Sequence, residues 1–345
     1  MPGPIVSHLE WRGPDLARDK SWIHTLSAAE NAEIDAALRV FTATGMGLDD
    51  MRQEHFPLPA VAPLIATARD ALEKAHGLFL FRGFPAERYG TEELRTIYWG
   101  LGRHFGTAVC QSMRGDFLGD VRDIGVDIRS LKGRGYTSNA ELTFHTDSTD
   151  VTGLFCLRTA KAGGDTRLVS SIAVHNKIAR ERPDVLETLY QPFWWSLQGQ
   201  EREGEQPVYQ QPIYAVHQGY FTCRYIRAHI MTAQRYPGVP PLTTAQSEAL
   251  DTLDATARSP ELVYAMRFEP GDIQFLNNHV TYHARTEFED YPEPDKKRHL
   301  LRMWLSVPNS RPLPPSFGKI YQDQRPGAVR GGFPGHVAEP RFSTL

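Results

Sequence analysis

GDIQFLNNHVTYHAR, residues 271–285, is the stretch on which the reading of this chain turns. It opens on a Gly-Asp turn signal and continues as an apolar, β-prone run, so a strand over about 273–283 carries His283 at its far end. Beyond it, RHLLRMWLSV (298–307) reads as another strand. There Leu301, Met303, Leu305 and Val307 share one face, and Arg298, Arg302 and Trp304 share the other. Two arginines turned into a β-structure are costly to bury unless an anion meets them. A dicarboxylate supplies that anion, because a guanidinium fork grips a carboxylate through two parallel bonds.

Upstream, LTFHTD (142–147) ends a strand-like run on His145-Thr146-Asp147. Residues i and i+2 of a strand point to the same side, so the imidazole and the carboxylate can grip one ion. Two histidines and a carboxylate on one face of an octahedral ion leave three positions open, the arrangement of non-haem iron(II) oxygenases. Alone, His-x-Asp is a weak signal. With 13 histidines in the chain, roughly one such triplet is expected by chance. His8-Leu9-Glu10 has the same form and reads as a surface feature of an N-terminal arm.

Working outward, further short strands are expected at 153–158, 166–170, 207–216, 219–226 and 262–268, with a Gly163-Gly164-Asp165 turn between two of them. Helical stretches at 171–190 and 244–257 interrupt the series, the latter opening on the capping box of Thr243 and Gln246. The first 105 residues read mostly helical. Ser27 and Glu30 form a capping box ahead of Ile34, Leu38 and Phe41, a second helix runs over 60–74 with Pro63 in its first turn, and another spans 91–101. Gly77 to Gly83 reads as a buried strand. The fold class is therefore α+β with a mainly β core, a sandwich or barrel with flanking helices. We expect one domain over 1–345: helical support over 1–105, a barrel over 136–307 with a helical insert at about 171–257, and a tail over 308–345. The tail, rich in Pro and Gly (Pro312, Pro314, Pro315, Pro326, Gly331, Gly332, Pro334), shows no core pattern and is expected to wrap the surface or cover an opening.

Composition narrows the partners. The chain has 345 residues, 41% of them hydrophobic and 23% charged, with a net charge of −3. Nothing in that balance favours nucleic acid or an anionic membrane surface. No run approaches the roughly 20 apolar residues of a membrane span, and no signal peptide is visible. Cys110, Cys156 and Cys223 are few and scattered, which fits buried thiols and a cytoplasmic location rather than a disulfide framework. A small-molecule partner is expected, and a homo-oligomer is left open.

Taken in order, His-Thr-Asp at 145–147, Gly-Gly-Asp-Thr at 163–166, the Gly-Asp…Asn-Asn…His-Ala-Arg-Thr stretch of 271–286 and Arg-His-Leu-Leu-Arg at 298–302 resemble the TauD/TfdA family of 2-oxoglutarate dioxygenases, which includes taurine dioxygenase and resembles clavaminate synthase. The resemblance runs from about Gly77 to Val307. It implies a double-stranded β-helix (jelly-roll), Fe(II), 2-oxoglutarate as co-substrate, O2, and decarboxylation to succinate and CO2 coupled to oxidation of an unactivated C–H bond. By position, His145, Asp147 and His283 match the metal ligands, and Arg298 and Thr166 match the residues that hold the far carboxylate of 2-oxoglutarate. His279 lies where relatives often carry arginine. The family's gap to the arginine is closer to that of His283 than of His279, so the resemblance implies His283 as the ligand and His279 as a structural histidine or a group supporting the ligands. Related halogenases lose the carboxylate that Asp147 provides, so hydroxylation is favoured over halogenation.

Arg302 matches a position that in several relatives contacts an anionic group of the substrate, so the substrate is expected to be a small organic acid or amino-acid-like compound. Gln111, Asn139 and Arg224 are further candidate substrate contacts, each with an ordinary structural role as its competitor. Trp194 and Trp195 fit either an entrance or a core. Two rival readings stand beside the dioxygenase. A zinc hydrolase could use the same triad with water in the fourth position, but it gives the arginines no task. A non-catalytic metal-binding barrel would be expected to have lost a ligand.

Overall fold

The computed structural model describes residues 3–125, 138–333 and 340–344; the expected boundary at 136 and Pro334 lie outside them. Seventeen strands are named in chain order among these residues: β1 Ile23–Thr25, β2 Leu78–Arg82, β3 Thr107–Val109, β4 Leu118–Val121, β5 Leu142–His145, β6 Val151–Arg158, β7 Ala162–Gly163, β8 Thr166–Ser170, β9 Pro192–Ser196, β10 Val208–Pro212, β11 Tyr214–His217, β12 Tyr220–Cys223, β13 Tyr264–Met266, β14 Ile273–Asn277, β15 Thr281–Arg285, β16 Phe288–Glu289 and β17 His299–Ser306. Two sheets matter most. The larger has the order β1-β2-β14-β6-β17-β3 with β4 also on β17, and the smaller has the order β13-β8-β15-β5. Four strands that precede residue 136 thus join the large sheet, so the N-terminal part supplies barrel wall as well as helices.

Each sheet is apolar where it meets a partner. Leu78, Leu80, Cys156, Leu276 and Leu300 of the large sheet pack with Leu168 of the small one and with Trp22 and Phe268. The outer face of the large sheet (Phe79, Phe81, Phe155, Phe275, Leu301, Met303, Leu305) is covered by the helices Ala28–Thr44, Val61–Lys74 and Thr91–Phe105. The expected alternation in β17 is therefore present, with Val307 on the same side. Ser27 and Glu30 bond each other's backbone amides at the start of the first of these helices, and Thr243 and Gln246 do so ahead of the helix Thr244–Ala257.

Four expectations need correction. The strand expected over 273–283 is two strands. Asn277 and Asn278 break it: the Asn277 side chain accepts the His279 amide (2.9 Å), and the chain crosses from the large sheet to the small one. The helix expected over 171–190 divides into Ser171–Glu181 and Pro183–Leu189, because Arg182 precedes a proline and leaves helical geometry (φ −144°, ψ 69°). The run 207–216 is likewise split, β10 pairing with β9 and β11 with β12, and the run 219–226 is strand only over Tyr220–Cys223, ahead of a short helix, Arg227–Ala233. The tail does hold core residues: Leu313, Phe317, Ile320 and Tyr321 are buried in the cluster formed by the insert helices. Their spacing is that of a helical turn, Gly318–Tyr321, set among prolines that hide it in the sequence.

Candidate active site

β5 and β15 run antiparallel with His145 directly opposite His283. This register places the two imidazoles 4.2 Å apart, centroid to centroid. Asp147 follows the end of β5, where a strand pairing no longer fixes the backbone and side chains must do so. Its amide donates to Asn278 Oδ1 (2.9 Å), its carboxylate accepts from Thr152 Oγ1 (2.7 Å), and Asn278 Nδ2 donates to the same hydroxyl (3.0 Å). Asn278 is thus more than a turn residue: it ties the β14–β15 connection to the loop that carries Asp147. One donor atom from each of His145, Asp147 and His283 lies within 4.8 Å of the others, and His283 Nε2 is 3.9 Å from Asp147 Oδ2.

Charge states suit a cation. Burial lowers the pKa of His145, and burial with the neighbouring His145 brings His283 down to about 3. Burial alone would raise Asp147, but Arg302, then His283 and His145, with the Thr152 hydroxyl, outweigh it and hold the carboxyl at about 2. Neutral imidazoles and an ionised carboxylate are the ligating forms. The Nδ1 of His145 lies 2.8 Å from the Thr143 carbonyl, which as a donor bond leaves Nε2 with its lone pair.

Beside the triad are two buried guanidiniums with no carboxylate in ion-pair contact among the described residues. Arg298 and Arg285 lie with their central carbons 5.1 and 4.7 Å from the centre of the Phe288 ring. Arg285 donates through Nη2 to the carbonyls of Ser138 (2.8 Å) and Ala140. The Nη1 atoms of both arginines are buried without an acceptor. Burial lowers Arg298 to about 10; burial, reinforced by Arg298 itself, lowers Arg285 to about 9. Thr166, buried at the start of β8, stands opposite Arg285 across the ladder. The preceding glycines are required here. Gly163 (φ +68°) would bring a Cβ to 2.3 Å from the Glu287 carbonyl, and Gly164 (φ +74°) would bring one to 3.2 Å from Arg298 Nε. Arg285 is in the quoted motif, yet nothing in the sequence marks it as a second cation.

The other expected residues fall differently. Arg302 Nη1 is 3.5 Å from Asp147 Oδ1, and its Nε donates to Gln111 Oε1 (2.7 Å). Gln111 Nε2 donates to the carbonyls of Phe117 and Arg302. Its amide is therefore engaged by protein and positions Arg302, which argues against a substrate contact. Asn139 is exposed and offers its carbonyl to the Phe288 amide, so its side chain is not brought into this cluster. Arg224 is fully buried, donating to Ser148 Oγ (3.2 Å) and lying 4.5 Å over the Trp195 ring. Trp195 is core and Trp194 is half-buried. His279 uses both ring nitrogens elsewhere, on Asp150 Oδ1 (2.8 Å) and Thr222 Oγ1 (2.9 Å). Asp150 also accepts from Arg330 Nε (2.9 Å), so a buried His279–Asp150–Arg330 group fastens the tail to the loop behind Asp147. No sequence signal marks that partnership, which joins residues 180 positions apart.

A jelly-roll that brings His, Asp and His to one point beside buried arginines defines a class of non-haem metal oxygenases. The chain belongs to the taurine catabolism dioxygenase TauD, TfdA family, whose sequence profile matches residues 42–304. It is 32% identical to FR-33289 synthase of Streptomyces rubellomurinus, over 91% of this chain and 93% of that one. It is 30% identical to a taurine hydroxylase-like protein of Stachybotrys chartarum, over 88% of this chain and 80% of that one. In fold it is similar to asparagine oxygenase in complex with Fe(II), 2S,3S-3-hydroxyasparagine and succinate (TM-score 0.65, 18% identity, 82% of this chain and 93% of that one). The protein is thus a non-haem iron enzyme, a dioxygenase dependent on Fe(II), 2-oxoglutarate and O2. Among the described residues no helix is long and apolar enough to cross a membrane.

Proposed function

We propose that His145, Asp147 and His283 hold the iron, that Arg298 and Thr166 receive the far carboxylate of 2-oxoglutarate, and that the enzyme hydroxylates an unactivated C–H bond of a small anionic or amino-acid-like molecule. The donor set fits: two neutral imidazoles and one carboxylate suit a six-coordinate ferrous ion with three positions left for co-substrate and oxygen. One observation carries the reading, the buried Nη1 atoms of Arg298 and Arg285 that no protein acceptor meets beside a three-ligand cluster. A buried guanidinium without an acceptor forfeits the bonds it made in water, and a carboxylate ligand restores them.

When bound, iron with 2-oxoglutarate supplies oxygen activation, giving succinate, carbon dioxide and a hydroxylated product. The chain's own residues set the geometry. Thr152 and Asn278 fix the Asp147 carboxylate, the β5–β15 register fixes the imidazoles, and Gln111 holds Arg302 beside the triad, where we assign it to the substrate's side. We further propose that residues 1–345 act as one catalytic domain in the cytoplasm. Buried tail side chains and three unpaired cysteines support this. The test is anaerobic reconstitution with Fe(II) and 2-oxoglutarate, followed by a screen of small acids for substrate-triggered succinate release. Stoichiometric iron binding and succinate that depends on both additions are expected. A protein that binds no iron, or loses it only when His279 rather than His283 is replaced, overturns the assignment.

A further inference from the structure

A second set of buried polar groups gathers at Ser148, the residue after Asp147, and the metal and co-substrate do not explain it. Arg224 follows β12 with none of its surface exposed. Of its five N–H donors, the bond from Nη2 to Ser148 Oγ is engaged, while Nε and Nη1 are buried with no acceptor. No carboxylate lies within 4.0 Å of it among the described residues. Its guanidinium stacks over Trp195 at 4.5 Å and lies 5.9 Å from the centre of the Tyr209 ring.

Two phenols share its surroundings. The hydroxyls of Tyr209 and Tyr321 are buried, that of Tyr209 turned to Arg224 and that of Tyr321 without a hydrogen-bond partner. Burial raises both, Tyr209 to about 12, and in each case Arg224 is the leading influence in the opposite direction, as adjacency requires. Gln211, two residues along the same face of β10 as Tyr209, leaves both atoms of its amide unsatisfied. Donors outnumber acceptors: a guanidinium, two phenolic O–H groups and an amide NH2 face only the amide and phenolic oxygens, with no acidic side chain among them.

The set is joined directly to the metal loop. The Thr146 amide donates to the Tyr225 carbonyl (2.9 Å) and the Tyr225 amide to Thr146 Oγ1 (3.1 Å), so residues 224–225 run beside 146–148. Ser148, which holds Arg224, is the residue after Asp147. The tail closes over the same point: the Gly332 amide donates to the Ser148 carbonyl, and a Cβ at Gly331 (φ +82°) would lie 3.0 Å from that carbonyl and 3.6 Å from Tyr321. Only glycine lets the backbone pass so near.

We propose that Arg224, Tyr209, Tyr321 and Ser148 form the receptor for an oxyanion of the primary substrate, a carboxylate, sulfonate or phosphonate held next to the metal loop. This rests on the dioxygenase reading for its reaction and deepens it by giving the substrate's anionic end a second anchor at Arg224, in addition to Arg302, which also meets Asp147 and Gln111. Buried donors without acceptors are rare in folded proteins, and an oxyanion supplies the acceptor that Arg224 lacks.

The test uses the full chain loaded anaerobically with Fe(II) and saturating 2-oxoglutarate, so that Arg298 is already engaged. Calorimetric titration with acetate, methanesulfonate and methylphosphonate is compared for the wild type, Tyr209→Phe, Tyr321→Phe and Arg224→Gln. At least one probe should bind the wild type, and its chemistry identifies the class. The phenylalanine variants should each bind it about tenfold more weakly, the loss expected of a hydrogen bond to a charged group. The thermal midpoint of Tyr321→Phe should not fall, since it removes a hydroxyl that has no protein partner. Arg224→Gln should abolish binding. If the wild type loads iron and 2-oxoglutarate but binds none of the three probes, or if the phenylalanine variants bind as the wild type does, the receptor is overturned while the metal assignment stands. If loading itself fails, it is the metal assignment that falls. Should Arg224→Gln not fold, the phenylalanine pair decides alone.

Discussion

Replacing Thr152 with valine isolates the geometry of the metal carboxylate from its chemistry. The two side chains have nearly the same shape, and the change deletes one hydroxyl that donates to Asp147 Oδ2 at 2.7 Å and accepts from Asn278 Nδ2 at 3.0 Å. A hydrogen bond to a buried charged group contributes about 1.5–3 kcal/mol. At about 1.4 kcal/mol per factor of ten, its loss should weaken ferrous iron binding roughly 10- to 100-fold, the range expected when a group that orients a metal ligand is removed. Asn278 keeps its bond from the Asp147 amide, so the loop retains its path. Anaerobic titration of the purified protein with Fe(II) measures the effect directly. Thr149→Val is the control. Thr149 is buried in the same loop, but its hydroxyl donates to the Leu305 carbonyl (2.9 Å) and does not meet the carboxylate. It should lose stability to a similar degree and bind iron within a few-fold of the wild type. Equal iron affinity in Thr152→Val and the wild type, or equal loss in both variants, would refute the idea that Thr152 acts through Asp147.

Arg298→Gln should raise the 2-oxoglutarate requirement at least about thirtyfold, the usual loss when one partner of a buried charge pair is truncated, with iron binding retained; unchanged half-saturation would remove Arg298 from the co-substrate site. Arg302→Ala should raise the requirement for the primary substrate more than that for 2-oxoglutarate in steady-state assays, and equal damage to both would end its assignment to the substrate's side. Asp120 gives a pH prediction away from the site. Burial raises its carboxyl, but His299 and Arg95, with the Thr344 amide, outweigh this and hold it well below the usual range. A depressed carboxylate contributes stability that is present above its unfolded value near 4 and is lost as pH falls below it. Asp120→Asn should therefore cost about 3–5 kcal/mol near neutrality by leaving Arg95 without its buried carboxylate, only the exposed Glu92 remaining, and the gap to the wild type should narrow between pH 4 and 2.5 in urea unfolding. A gap that stays constant with pH would contradict it.

What the sequence discloses follows the range of the interaction. The histidines proposed as ligands are legible because each ends a β-prone run, and Arg298 and Arg302 because they sit at even spacing just before and within β17. The Ser27–Glu30 and Thr243–Gln246 caps are legible because both partners lie within four residues. The break at Asn277 and Asn278 was written in the sequence as an Asn-Asn pair, but a long β-prone run on either side outweighed it. The burial of Phe317 and Tyr321 was masked by prolines that signal loop. Partnerships such as Thr152–Asp147–Asn278, Asp150–His279–Arg330 and Arg95–Asp120–His299 leave no periodic trace, because they join residues up to 180 positions apart through side chains alone. Gln111 shows the converse case. It does lie near the site, but its amide is filled by Phe117 and Arg302, and only the folded chain reveals that.

The pattern of unmet groups has a direction. Where this protein needs a buried charge for structure it supplies the counter-charge itself: Arg330 and His279 to Asp150, Arg95 and His299 to Asp120, Arg311 to Glu73. Arg285, Arg298 and Arg224 break that rule, each buried with nitrogen atoms lacking an acceptor, and all three lie close to strands or loops that carry the triad. Asp147, paired with Arg302, is the one carboxylate in the triad. A ferrous ion would add two further positive charges. Such a centre is strongly unfavourable when empty of anions and becomes balanced as they arrive, two carboxylates with 2-oxoglutarate and one oxyanion with the substrate. Electrostatics alone then disfavours a neutral substrate: it would leave Arg224 buried and unpaired, at a cost comparable to the whole binding energy of a small molecule. If an uncharged analogue of a true substrate, matched in shape, proved to be turned over with the same half-saturation, this account of why the arginines are there would be wrong.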